Sequence, residues 1–406
     1  MNIAVAQSGG PTCAINASLL GVFKGALKYD EIGIVYGSIN GIEGLINDNL
    51  VNLVDAFSDD TDIELIRQTP SSLLGSCRYK LPAFDKDNIV NEKILATLKK
   101  NNIGAFFYIG GNDSMDTVMK LNKYFNENSI DIKVIGVPKT IDNDLPETDH
   151  TPGFGSAAKY LATTLLEITR DSSVYDLDSV TIVEILGRDT GWLTASSAIL
   201  HAFGEASPHL IYLPEKPFSV EQFVKDVKEV QKTHRSVIVA VSEGIELNEE
   251  DIGQFKTGKV DNFGHKYLAG AGKALEKIAQ RDIKCKVRSI ELNVMQRCSS
   301  HLASKCDITE AEEIGSAAVK AALSGHSGKM MTFKRVSNSP YSVRIDCVDV
   351  DKVANRIKYF PDEWVNTEGN GIKEEALQYF LPLIRGEQTL HMQNGLPRHY
   401  VLKSSK

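Results

Sequence analysis

The sequence predicts an α/β protein whose parallel sheets, covered by helices on both faces, are divided between two domains. Apolar strand-like runs alternate with helix-period segments along most of the chain. The runs are continuously apolar rather than alternating, as expected of strands buried on both faces. The 406 residues also exceed what one hydrophobic core ordinarily holds.

The elements follow in order. "NIAVAQSGG" is a strand meeting a glycine turn, and "TCAINASLLGVFKGAL" continues with helical period, with Thr12 as candidate N-cap. "EIGIVYGSING" is a second strand and turn, and "DKDNIVNEKILATLKKNN" an amphipathic helix. "IGAFFYIGG" is a strand ending in glycines, "SMDTVMKLNKYFNEN" a helix opening at Ser114, and "DIKVIGVPKT" a strand closing at Pro138. The second half repeats the theme: helix "SAAKYLATTLLEITRD", strand "SVTIVEILGR", helix "FVKDVKEVQKTH", strand "SVIVAVSEG", helix "KYLAGAGKALEKIAQR" and strand "KVRSIELNV". "TEAEEIGSAAVKAALSG" is a long helix with Gly325 where a C-cap glycine belongs. From "YFPDEW" onward the pattern is irregular. No short repeat or low-complexity linker separates the halves, so crossings between elements are expected to join them, with a cleft between.

Composition narrows the function. The 42% apolar and 24% charged content is that of a soluble globular protein. A net charge of −8 argues against a general nucleic-acid or anionic-membrane binder. No run of 18 apolar residues is present, and the N-terminus lacks the basic region of a secretory leader. Six cysteines without a CxxC pair indicate a reducing, cytoplasmic setting, and nine histidines without HExxH or metal spacing give no structural zinc site.

Ligands of open α/β sheets bind beyond the carboxyl ends of the strands. Five such ends carry chemistry: Gly9-Gly10, Gly110 to Ser114, Lys139 to Asp144, Gly187-Arg188-Asp189 and Ser242-Glu243-Gly244. A Gly-Gly turn before a helix brings backbone N–H groups to an anion, or is simply a tight turn. "AGAGKAL" around Lys273 lacks the first glycine and the Ser/Thr of a P-loop and lies within a helical pattern. In "KTIDND", two acids flanking Asn143 suit a metal or a general base, and Lys139 suits a phosphate; an Asx-rich turn with a surface ion pair is the plain alternative. Arg78, Arg188, Arg288 and Arg297 offer forks for phosphate oxygens, although any one of them alone reads as a solvated arginine. Taken together, phosphate cradles, carboxylates and arginines at successive strand ends indicate phosphoryl transfer.

The ordered set "SGGPTCAIN", "LLGSCR", "IGGNDS", "PKTIDND", "TPGFGSA", "EILGR", "VSEG" and "MQR", from about residue 3 to 335, resembles the phosphofructokinases of the bacterial type. The resemblance implies two Rossmann-like three-layer domains with mostly parallel sheets and an interdomain active-site cleft. Residues 1–153 plus about 300–335 would bind the donor, and 154–299 plus about 336–406 the sugar phosphate. In this family, ATP-using members carry glycine where this chain has Asp113 and Lys139, and pyrophosphate-using members carry these residues. An aspartate there fills and repels the space of an ATP α-phosphate, and a lysine neutralises pyrophosphate and the departing phosphate.

The reaction so implied is reversible transfer from pyrophosphate to the 1-hydroxyl of fructose 6-phosphate, giving fructose 1,6-bisphosphate and phosphate. Asp142 matches the general base, with Lys139, Asp113 and Arg188 in the catalytic set. Gly10, Arg78, Gly111, Asp113 and Lys139 match donor contacts. Thr140, Asp142, Asp144, Leu186, Gly187, Arg188, Glu243, Arg288 and Arg297 match acceptor contacts, Arg288 reaching in from a neighbouring subunit of a homodimer or homotetramer. The implied cofactor is Mg²⁺, with Asn112 at the usual position of the metal aspartate and Asp113, Asp144 and pyrophosphate as supporting ligands. Asn112, Ser179 (for an arginine) and Val294 (for a histidine) depart from the family pattern. The alternatives are ATP as donor, another sugar phosphate such as sedoheptulose 7-phosphate as acceptor, a non-catalytic regulatory subunit, and a sugar-binding module without turnover.

Overall fold

The structure, a computed structural model, describes residues 1–83, 88–247 and 270–402. Strands β1 (Asn2–Gln7), β2 (Val35–Ser38), β3 (Leu50–Asn52), β4 (Ile103–Gly110), β5 (Lys133–Pro138), β10 (Lys329–Asn338) and β11 (Tyr341–Asp349) form one sheet, in the order β11-β10-β5-β4-β1-β2-β3. Its centre is parallel, and β3 and β11 pair antiparallel at the edges. Strands β6 (Ser179–Ile185), β7 (Leu210–Tyr212), β8 (Ser236–Ser242) and β9 (Lys286–Glu291) form a second, wholly parallel sheet in the order β7-β8-β6-β9.

Both sheets are buried on two faces, as the continuous apolar runs require. Adjacent residues of a strand point to opposite faces, so Phe106 packs in one core and Phe107 in the other. Likewise Ile182 and Val183 enter different cores of the second sheet. The helices Ile15–Ala26 and Lys305–Leu323 cross so closely that a Cβ at Gly21 would meet the Glu312 carbonyl oxygen at 2.1 Å. This contact joins the two helices, and both pack in one core with Ile3 and Val5 of β1.

Several local expectations shift. The first helix begins at Ile15; Thr12 instead accepts from the Ala14 N–H at 3.1 Å, an ST-type turn ahead of the helix. The helix after β4 opens at Asn112, two residues before Ser114. Gly325 does follow the long helix with φ +86°. The helix readings that start at 85 and 266 begin outside the described residues; their described parts are Ile89–Lys100 and Ala271–Asp282.

The β10–β11 hairpin was not read from the sequence. Its second strand pairs with β10 from Lys329↔Asp349 to Asn338↔Tyr341. Residues 341–349 therefore belong to the first sheet, and the assignment of everything after about 336 to the second domain fails for this strand. The irregular segment that follows touches both units. The Asn355 N–H donates to Asn112 Oδ1 at 2.5 Å, and Trp192 Nε1 donates to the Lys358 carbonyl at 2.8 Å. No described helix is long and apolar enough to cross a membrane.

Candidate active site

The carboxyl ends of β1, β4 and β5 face those of β6, β8 and β9 across a cavity of about 660 Å³. All five strand ends singled out in the sequence contribute to its lining. Five cationic side chains (Arg78, Lys80, Lys139, Arg188, Arg297) and seven acidic ones line it. Three charged groups of its lining keep a buried atom without a hydrogen-bond partner among the described residues: Asp144 Oδ1, Arg188 Nε and Arg297 Nε. Unpaired buried polar atoms are costly, so their collection in one cavity marks a place built for a charged ligand.

Lys139 leaves the end of β5 and turns beneath the first glycine turn. It is 2% exposed, and its ammonium donates to the Gly10 carbonyl at 2.6 Å. Burial lowers its pKa to about 8, against the opposing pull of Asp142 and Asp144. A Cβ at Gly9 would lie 3.4 Å from Lys139 Nζ, and one at Gly10 3.5 Å from Arg297 Nη1. Two cations thus flank the backbone of one glycine turn, an arrangement suited to a polyanion. Asp113 sits in the first turn of the helix Asn112–Glu127, beside Gly111, with Lys80 Nζ at 3.7 Å from its Oδ1. Arg78 lines the same side.

The two acids of "DND" are presented by the residue between them. Asn143 is fully buried with φ +53°, a left-handed conformation that Asn tolerates. Its Nδ2 donates to the Tyr379 hydroxyl at 2.8 Å, and Lys358 Nζ donates to its Oδ1 at 3.3 Å. With Asn143 tethered inward, Asp142 and Asp144 line the cavity. Burial raises the pKa of both; Glu243 adds to the effect at Asp142, and Asp142 at Asp144. Thr140 Oγ1 accepts from the Asp142 N–H at 3.1 Å and Thr190 Oγ1 donates to the Asp142 carbonyl at 3.3 Å, fixing Asp142 from both sides.

Across the cleft, Gly187 has φ +134°, and a Cβ there would strike the Thr190 carbonyl oxygen at 2.6 Å, so only glycine fits. Its N–H donates to Glu243 Oε1 at 3.3 Å, which aims Glu243 at the cavity beside Leu186 and Arg188. Burial raises the Glu243 pKa. Arg297 projects from the short helix Met295–Cys298.

One expectation changes. Asn112 does not present a free carboxamide to a metal: its Oδ1 accepts from Asn355 and its Nδ2 donates to the Arg356 carbonyl. It is a staple to the C-terminal segment. Arg288, expected to reach into a neighbouring subunit's site, lies outside this chain's own cavity. It lies in mid-strand, where it bonds Thr181 Oγ1 at 3.2 Å and pairs with Asp171 at 3.0 Å, near Ser179 and Lys286 at the amino ends of β6 and β9. Lys273 pairs with Glu276 at 2.9 Å within a helix and forms no phosphate loop. The sequence reading named Asp189 at a strand end but gave no site role to Glu184, Glu291 and Asn293 of the lining, or to Lys358 behind the acid turn. Glu184 stands inside the motif "EILGR" already quoted; Lys358 gave no such signal.

Two facing α/β units with a glycine turn, buried lysine, acid pair and arginines between them define a phosphoryl-transfer enzyme. The family profile described as phosphofructokinase matches residues 2–322, and the chain belongs to that family. The pyrophosphate–fructose 6-phosphate 1-phosphotransferase of Halomonas elongata is 37% identical over 402 residues, covering 98% of this chain and 95% of its own. The crystal structure of a pyrophosphate-dependent phosphofructokinase from Nitrosospira multiformis superposes with a TM-score of 0.88 at 33% identity, covering 99% of this chain and 96% of that one. One from Marinobacter aquaeolei gives 0.86 at 35% identity, covering 99% and 95%.

Proposed function

We propose that the chain transfers a phosphoryl group reversibly between pyrophosphate and the 1-hydroxyl of fructose 6-phosphate, giving fructose 1,6-bisphosphate and phosphate. The observation that carries this reading is Lys139, a buried cation under the Gly9-Gly10 turn, three residues from a carboxylate pair. Pyrophosphate would lie over that turn, between Lys139, Arg78 and Asp113. The acceptor would lie toward Leu186, Arg188, Glu243 and Arg297. Asp142 would take the proton of the attacking hydroxyl; its raised pKa brings it closer to the operating pH, where a general base is most effective. Lys139 and the guanidinium groups would stabilise charge on the transferring and departing phosphate.

Mg²⁺ fits this site as a partner of the substrate rather than as a protein-caged ion. No cluster of three or more His, Cys, Asp or Glu able to hold a metal occurs among the described residues. Asp144 nevertheless keeps Oδ1 unpartnered in the cavity. Magnesium is commonly held by one or two carboxylates plus substrate phosphates. Asp144, with Asp113, would hold it, and the ion would neutralise phosphate charge.

The enzyme would work in the cytoplasm as a homodimer or homotetramer. Arg288, outside its own cavity and lining a small surface pocket with the exposed Tyr175, would serve a second copy. Phosphorus NMR of the protein with pyrophosphate, Mg²⁺ and fructose 6-phosphate tests the reaction. Signals of fructose 1,6-bisphosphate and orthophosphate in equal amounts are expected; orthophosphate alone would reduce the protein to a pyrophosphatase.

A further inference from the structure

We propose that Lys358 is a positioning residue that locks the Asp142–Asn143–Asp144 turn in its working geometry by holding Asn143 and the carbonyls of residues 148 and 149 from behind. The inference rests on the reading of Asp142 and Asp144 as reactive-site acids. Lys358 lies outside the 2–322 stretch shared with the family profile, on the irregular segment after β11.

Lys358 grips the turn with main chain and side chain together. Its N–H donates to the Asp144 carbonyl at 2.8 Å, and its carbonyl accepts from Trp192 Nε1 at 2.8 Å. Its ammonium donates to Asn143 Oδ1 at 3.3 Å, to the Thr148 carbonyl at 3.2 Å and to the Asp149 carbonyl at 2.9 Å. The same ammonium lies 4.8 Å from the Trp192 ring centre, a cation–π contact. An ammonium has three hydrogens, and here all three have oxygen acceptors.

The consequence for the acids follows from Asn143. A carboxamide held at one end swings about that bond; held at both it cannot. Tyr379 holds Nδ2 at 2.8 Å and itself donates to the Asp149 carbonyl at 2.6 Å, so Lys358 and Tyr379 share an anchor. Asn143 has the positive φ of the turn. Without Lys358, Oδ1 keeps only a 3.5 Å contact from Thr151 Oγ1, whose hydrogen goes to the Thr140 carbonyl at 2.8 Å, and this loosens the one residue whose rotation would swing both flanking carboxylates. The same segment reaches the donor side through Asn355 on Asn112, so one strap supports both halves of the cavity.

The test compares wild type with Lys358→Met, which keeps the stem against Trp192 but removes the donors, and with Lys358→Gln should the first fold poorly. A misplacement of about 1 Å can reduce rate by roughly 10²-fold. The expected result is a kcat loss of that order with both KM values nearly unchanged, and partial recovery in Lys358→Arg. Asn143→Gly, which accepts the positive φ, should lose a similar factor, and the double variant should be no slower than the slower single one, because both remove one tether. A crystal structure of Lys358→Met should show the acid turn displaced. Wild-type kcat in Lys358→Met and Lys358→Gln, multiplicative losses in the double variant, or an unmoved turn would overturn the assignment. If wild type itself turned over no pyrophosphate, the functional reading would fall, and the crystal comparison would still decide the role of Lys358.

Discussion

The ammonium of Lys139 and the carbonyl oxygen of Gly10 lie 2.6 Å apart, although 129 residues separate them in sequence. That bond brings the end of β5 under the turn that follows β1. It places a cation where a donor phosphate would rest, and it explains why a lysine stands three and five residues from two acids. Four consequences are open to measurement before the central one.

The donor should be set by Asp113 and Lys139 jointly. The double variant Asp113→Gly, Lys139→Gly removes the carboxylate that would crowd a longer nucleotide and the cation that balances pyrophosphate. kcat/KM for pyrophosphate should fall by at least about 10²-fold, the scale for losing one electrostatic stabiliser, and ATP turnover should rise from background. Steady-state kinetics with each donor checks both halves.

Asp142→Asn keeps shape and removes proton acceptance. A positioned base contributes about 10²–10⁴-fold, so kcat should drop within that range in both reaction directions while acceptor KM changes little. A loss under about tenfold would assign the proton to another group.

Arg297 carries a buried Nε with no partner in the described structure. Arg297→Ala should weaken sugar-phosphate binding by the worth of a charged hydrogen bond, about 1.5–3 kcal/mol, seen as a KM for fructose 6-phosphate raised at least about tenfold. An unchanged KM for the sugar with a raised KM for pyrophosphate would move Arg297 to the donor side.

Stability should fall with rising pH because of His150. Burial alone would lower its pKa, but Glu310 at 2.7 Å and Asp149 at 2.9 Å outweigh burial and raise it to about 9. A group whose folded pKa lies above its unfolded value of about 6.5 contributes stability in full below that value. The contribution shrinks as pH rises and is gone once pH passes about 9. Tm should therefore decline between about pH 6.5 and 9, and His150→Gln should flatten that decline. Parallel wild-type and variant curves would show that His150 does not set the slope.

The strands and most of the cavity were legible because apolar runs stop abruptly at glycine or charge, and those stops are the carboxyl ends that line the site. Gly187 and Asn143 were legible as turn residues, though not as the pieces that aim Glu243 and the two aspartates. What the sequence hid depends on partners far along the chain. Asn112 bonds residues 355 and 356, more than 240 positions away, so spacing alone could not remove it from the metal. Lys358 sits in a segment without period, and its partners are mostly main-chain carbonyls, which leave no residue signature. The edge strand β11 alternates between partly buried and exposed residues, unlike the continuous runs that marked the other strands. Arg288's place opposite Thr181 required the register of β6 against β9.

The donor is the central claim, and one measurement addresses it most directly: initial rates of wild-type protein with saturating fructose 6-phosphate and Mg²⁺, with pyrophosphate or ATP as phosphoryl donor. Asp113 and the buried Lys139 predict rapid turnover with pyrophosphate and rates near background with ATP. Equal or faster turnover with ATP would contradict the account.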